Sequence, residues 1–228
     1  MLKIALLLVA THAIVDFLFQ PDWLRRRKSQ FLFLTLHAAT HAILAYLVLQ
    51  DWECWQSPLF IFLSHGLIDY FKQRHGGGSA KAFAVDQGCH ILSLIALSWL
   101  LVRFSWLPAF SGIGYQPIIY IAGFISAVYG SGYFVGQFAK RILEDNRLEI
   151  DGLKNGGKMI GQLERALIFL FVFINQPGAI GFLVAAKSIL RFQEAKEQKH
   201  AEYVLIGTLL SFSLAIALSV GTMWAARQ

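Results

Sequence analysis

Apolar segments of bilayer-spanning length recur along this chain, and no other feature narrows its fold so far. A helix crossing the hydrocarbon core needs about 20 mainly apolar residues, with about 17 as the lower limit. Eight segments are placed near residues 2–19, 31–50, 57–73, 85–107, 115–139, 160–175, 177–192 and 203–224, two of them short. Only Asn175, Gln176 and Pro177 separate the sixth from the seventh, which predicts a tight helical hairpin or a re-entrant pair. The fold class that follows is all-α: a polytopic helical membrane protein of about eight transmembrane helices. It divides into a four-helix membrane half at 1–110 and a second half of about four helices with basic loops at 111–228.

Composition excludes the alternatives. Of 228 residues, 56% are hydrophobic and 15% charged, too apolar for a soluble domain, while 14% aromatic residues exclude a disordered chain. Two cysteines, Cys54 and Cys89, cannot build a disulfide scaffold or a thiolate zinc site. The first span follows Lys3 as a signal peptide would. His12 and Asp16 inside it, and no clear small-residue cleavage site after it, make it a retained helix.

Basic residues set the orientation, because short loops rich in Lys and Arg stay in the cytoplasm. Arg25, Arg26, Arg27 and Lys28 fall in the first loop, and Lys72, Arg74 and Lys81 in the third. The fifth holds Lys140, Arg141, Arg147, Lys154 and Lys158, and the seventh Lys187, Arg191, Lys196 and Lys199. Sixteen of the 20 basic residues therefore lie on one side and none in the opposite loops, so both termini face outward. Trp52, Trp55, Trp106 and Trp224 fall at outer span ends, as interfacial rings do. The net charge of +6 is first of all a topology signal, and no nucleic-acid partner is expected.

Ionisable residues are costly in a membrane, so each one inside a span is a candidate functional residue. His12 with Asp16, His37 with His41, His65 with Asp69, and Asp86 with His90 place one i, i+4 pair on each of the first four spans. That spacing puts both members of a pair on one helix face. At about 1.5 Å per residue, His12 lies roughly 12 Å from the cytoplasmic end of its span, and all four pairs fall in the same half of the membrane. One buried His–Asp pair is commonly a structural bridge; four at matched depth point to a shared site. Neutral imidazoles with carboxylates suit a divalent metal such as zinc, manganese or iron, with room for two ions. His12, His37, His41, His65 and His90 are the candidate ligands. Asp16, Asp69 and Asp86 are the candidate catalytic residues, ligating metal or acting as general base. A metal-free hydrogen-bond network is the alternative.

An internal repeat supports one shared site. Residues 12–20, HAIVDFLFQ, align with 65–73, HGLIDYFKQ, and each is followed by a basic loop and a span with a paired motif, HAATH at 37–41 or DQGCH at 86–90. Two helical hairpins related by a pseudo-twofold axis along the membrane normal would turn their polar faces toward each other. In the second half, an ion pair or helix-end snorkelling accounts for Glu164, Arg165, Lys187 and Arg191. The functional alternative is a phosphate-binding set of Lys158, Lys187 and Arg191 with the flexible turn at Asn155-Gly156-Gly157. Ser126-x-x-x-Gly130 and Gly132-x-x-x-Gly136 permit close helix approach.

HAIVDFLFQ, HAATH, HGLIDYFK and DQGCH resemble a group of bacterial inner-membrane proteins, the domain of unknown function 3307. GQLERALIFL at 161–170, AAKSILRFQEA at 185–195 and AEYVLIGTLLS at 201–211 are similar to stretches of its longer members. The resemblance implies the inner membrane and marks positions of interest, without a reaction. A looser similarity to membrane-bound metal-dependent hydrolases is analogy. The expected role is metal-dependent hydrolysis of a small or lipid-linked substrate. The rivals are an ion or metal transporter and a noncatalytic sensor or assembly module. A homo-oligomer stays open. There is no HExxH, nucleophile elbow or P-loop.

Overall fold

The computed structural model describes residues 1–20, 30–75, 78–107, 110, 114–148, 155–194 and 198–228. The basic stretch at 25–28 lies outside them, as do Lys154 and Lys196. Among the described residues the chain is all helical, with eight helices. They are α1 (Leu2–Leu18), α2 (Phe31–Leu49), α3 (Gln56–His75), α4 (Ala80–Arg103), α5 (Tyr115–Asn146), α6 (Gly156–Phe173), α7 (Pro177–Glu194) and α8 (Gln198–Ala226).

Each helix coincides with one expected span, but eight crossings do not follow from length and composition. Among the described residues, only α2, α4, α5 and α8 are long and apolar enough to cross a membrane unaided. At 17 residues, α1 is about 25 Å long, short of a hydrocarbon core about 30 Å thick. α3 has 20 residues but carries His65, Asp69, Lys72, Gln73 and Arg74. α4 starts five residues before its apolar run because Ser79 caps it, its Oγ accepting from Ala82 N at 3.1 Å.

The chain forms two compact units. The first comprises Met1–Ile125 and Trp224–Gln228. Within it α1 packs on α2, α2 on α3, α3 on α4, and α4 back on α1, which closes a four-helix ring. The start of α5 lies against α1. Tyr115 Oη donates to the Ala225 carbonyl at 2.9 Å, and Lys3 Nζ lies 5.7 Å from the Tyr115 ring centroid. Both chain ends therefore meet at one end of this unit. Ile4, Leu7, Leu49, Ile61, Leu97 and Leu101 form an apolar core in that end of the ring.

The ring is built inside out. On α2 the buried stripe is Leu34, His37, Ala38, His41, Ala42, Ala45 and Leu49, while Leu32, Leu36, Ile43 and Leu47 are exposed. Large apolar side chains outside and polar ones inside suit a lipid-facing surface around a polar centre. Hydroxyls on these helices bond to the preceding turn: Thr11 Oγ1 donates to Leu7 O at 2.8 Å and Thr40 Oγ1 to Leu36 O at 2.9 Å.

The second unit is Ser126–Met223. A π-helical turn at Ser126–Gly130 interrupts α5, and α6 packs against it. The α6–α7 hairpin is tight as expected: Asn175 is left-handed at φ 56°, Gln176 N donates to Phe171 O at 2.7 Å, and Pro177 opens α7.

Candidate metal centre

Each helix of the ring delivers one of the i, i+4 pairs to its interior. His12, Asp16, His37, His41, His65, Asp69, Asp86 and His90 are all buried, none more than 7% exposed. His12, His41, His65 and His90 occupy one level, one from each helix. Ring centroids are 3.7 Å apart for His41–His65, 4.1 Å for His65–His90, 4.8 Å for His12–His90 and 4.9 Å for His12–His41. One turn along the helices, Asp16, His37, Asp69 and Asp86 form a second level.

The tightest geometry belongs to the first hairpin. Asp16 Oδ1 is 3.2 Å from His37 Nε2 and 3.2 Å from His41 Nε2, and those nitrogens are 3.2 Å apart. A tetrahedral ion with bonds of about 2.0–2.1 Å sets its ligand atoms about 3.3 Å apart. This triangle is close to one face of such a tetrahedron. His65 joins the group, all four offering ligand atoms within 4.8 Å of one another. In the second hairpin His90 Nε2 lies 3.7 Å from Asp69 Oδ1 and 3.6 Å from Asp86 Oδ1. These three residues form a second group within the same 4.8 Å limit, and His12, His65 and His90 form a third.

Three inward-facing atoms, His65 Nε2, His90 Nε2 and Asp86 Oδ1, are buried without a hydrogen-bond partner among the described residues. Buried polar atoms seldom go unsatisfied, since each costs about 1–3 kcal/mol. Imidazole and carboxylate lone pairs gathered this closely could hold a divalent metal ion.

Polar side chains at one end of the cluster complete it. Gln87 Nε2 donates to Asp16 Oδ2 at 2.8 Å and to Asp86 Oδ2 at 3.3 Å. Gln20 Nε2 lies 3.2 Å from His37 Nε2, and Lys72 Nζ donates to Asp86 Oδ2 at 2.6 Å. The sequence reading did not single these out, although the signal is present. Lys72 follows Asp69 by three residues and continues the polar face of α3, while Gln20, four residues after Asp16, lies just past the end of α1. On the other side of the histidines a small cavity is lined by Leu8 and Ile61, Thr11 and Ser64, and Ala45 and Leu94, with Ser93. The three pairs occupy equivalent positions in the two hairpins, so the cavity is built by the repeat.

The second unit places the remaining candidates differently. Lys187 Nζ donates to Glu164 Oε2 at 2.7 Å, so the expected ion pair is present. Lys158 is exposed, and the side chain of Arg191 lies outside the described residues. The glycines at 156 and 157 open α6 instead of forming a flexible turn. Arg165 does not snorkel. It is buried at 4% exposure, donating from Nε and Nη2 to the Val128 carbonyl of the π turn at 3.0 and 2.9 Å, and from Nη1 to Ser211 Oγ at 3.1 Å. A Cβ on Gly132 would overlap its guanidinium, and one on Gly161 would stand 2.8 Å from Nη1. These glycines make room for a cation rather than for a bare helix crossing.

Residues 4–112 match a family described as protein of unknown function (DUF3307). No curated protein and no solved structure matches the chain. The matched segment ends before α5, so the later stretches that resemble longer members lie beyond it. All eight cluster residues fall within it. Over residues 4–112, a stretch that contains the whole His/Asp cluster, the chain matches the DUF3307 family of proteins of unknown function.

Proposed function

We propose that this protein is a metal-dependent hydrolase of the bacterial inner membrane, acting on a small or lipid-linked substrate that enters from the cytoplasmic side. The observation that carries the reading is the 3.2 Å triangle of Asp16 Oδ1, His37 Nε2 and His41 Nε2. A divalent ion bound there would polarise a substrate oxygen and bring the pKa of a bound water near neutrality. The chain's own groups supply the rest. A carboxylate among Asp16, Asp69 and Asp86 takes the proton, and Lys72 offers a donor to developing negative charge.

Access and orientation support the same reading. Gln20, Gln87 and Lys72 are only partly buried and form the polar rim, while the apolar core around Ile4, Leu49 and Leu101 closes the other end. The rim lies at the end of the ring where α1 leads to α2 and α3 to α4, connections whose basic residues favour the cytoplasm, with both termini outside. Exposed Trp52, Trp55, Trp106 and Trp224 belong to the outer interface. α1 and α3, short or polar alone, are held across the bilayer by α2 and α4.

The test is metal content and turnover of full-length protein purified in detergent, stripped with chelator and reloaded with zinc, manganese or iron(II). The probes are p-nitrophenyl phosphate, bis(p-nitrophenyl) phosphate and p-nitrophenyl acetate. Metal-dependent turnover lost in Asp69→Asn, with helicity and size unchanged, is expected. Divalent flux into proteoliposomes that His65→Ala abolishes would replace this reading with a transporter. Protein that binds no metal would leave a hydrogen-bond network.

A further inference from the structure

The two hairpins repeat each other's positions but not each other's chemistry. Aligning His12 with His65 and Asp16 with Asp69, and the following motif HAATH with DQGCH across a connection four residues shorter, sets His41 on His90 and His37 on Asp86. The first hairpin thus presents Asp16, His37 and His41, one oxygen and two nitrogen ligands. The second presents Asp69, Asp86 and His90, two oxygen ligands and one nitrogen. A second difference accompanies the first. Lys72 stands where the first hairpin has Phe19, and its ammonium lies 2.6 Å from Asp86, the residue that replaced a histidine. The lysine offsets the extra carboxylate, so with the histidines neutral, as metal ligands are, each half would carry one net negative charge.

The spacing differs in the same sense. The nitrogen-rich triangle has edges of 3.2 Å, while the two edges that meet at His90 in the oxygen-rich one are 3.6 and 3.7 Å. Imidazole-rich, compact sites suit zinc, whereas carboxylate-rich ones suit manganese or magnesium. His65 Nε2, His90 Nε2 and Asp86 Oδ1 are buried without hydrogen-bond partners, so ligand capacity is unused on the second hairpin's side as well.

We propose that the duplicated hairpins build two unlike metal centres, a zinc-type centre at Asp16, His37 and His41 and a manganese-type centre at Asp69, Asp86 and His90, with Lys72 balancing the second. This rests on the metal-binding part of the function proposed above and deepens it. A substrate bridging the two would be an oxyanion such as a phosphate ester, since paired ions stabilise both attacking and leaving oxygens.

The experiment uses stripped full-length protein, given one equivalent of zinc and then excess manganese. Metals retained after desalting are counted by mass spectrometry, and bound manganese is read by electron paramagnetic resonance. One zinc and one manganese per chain are expected. Asp16→Asn should lose the zinc and keep the manganese, and Asp86→Asn the reverse. His37→Asp installs the residue that the second hairpin already tolerates at the equivalent position, and should turn the zinc centre into a second manganese-type centre without unfolding the chain. A single metal per chain, joint loss of both metals in either Asn variant, or two zinc sites of equal affinity overturns the two-centre assignment while leaving a metal-dependent hydrolase standing. No bound metal of any kind overturns both.

Discussion

Arg165 is a buried cation held by neutral partners, two of its N–H groups on the carbonyl of Val128 and one on Ser211. A hydrogen bond from a charged group contributes about 1.5–3 kcal/mol, so Arg165→Leu is expected to cost a few kcal/mol and lower the melting temperature in detergent. Gly132→Ala should also destabilise, because its Cβ would meet the guanidinium. The two costs should not add. With Arg165 truncated to Ala, the space beside Gly132 opens, and Gly132→Ala should become neutral or mildly stabilising through helix propensity, worth up to about 1 kcal/mol. Additive losses in the four-way comparison would show that Arg165 and Gly132 do not share this contact. The sequence alone marked Arg165 as an ionisable residue inside an apolar run. It could not name the partner, because the carbonyl it binds is 37 residues away, in a π turn that no side-chain pattern announces.

At the scale of the element, the duplicated hairpin was the most legible part of the chain. An i, i+4 spacing of polar residues in an apolar background fixes which helix face must turn inward, because lipid will not accept it. That is why all eight cluster residues are legible in the sequence alone. Gln20, Gln87 and Lys72 were less visible, since an amide or a lysine near a span end is commonplace at the interface. The repeat makes a prediction where α2 meets α3. Gly66 occupies the position of Ala13 in the first hairpin, and a Cβ there would lie 3.7 Å from Ala38 Cβ, an ordinary contact. Gly66→Ala should therefore leave metal content unchanged and raise the melting temperature slightly, by helix propensity of about 1 kcal/mol at most. Gly66→Leu should displace α2 and with it His37 and His41, and so lose the metal of the first hairpin. A Gly66→Ala protein that unfolds would show the interface to be tighter than this contact implies.

For the whole molecule, the inside-out ring leaves orientation to charge. The apolar exterior fits a bilayer in either direction, whereas the basic loops do not, since positive charge is retained in the cytoplasm. Span count was less legible than span position: α1 and α3 give up length or hydrophobicity to carry ligands, so composition alone supports four crossings. Packing adds what composition leaves out: α1 sits among α2, α4 and α5, and α3 between α2 and α4. If α1 and α3 cross with them, the ends of the ring face opposite compartments. On the orientation proposed from loop charge, Glu53, exposed in the α2–α3 turn, and Gln228, exposed at the chain end, would face outward, and Gly78, exposed before α4, would face the cytoplasm. In intact cells, with Cys54 and Cys89 replaced by Ser, Glu53→Cys and Gln228→Cys should react with a membrane-impermeant maleimide, and Gly78→Cys only after permeabilisation. The reverse pattern would invert the protein and put the rim of Gln20, Gln87 and Lys72 outside. Labelling of Glu53→Cys and Gly78→Cys from the same side would mean that α3 does not cross at all.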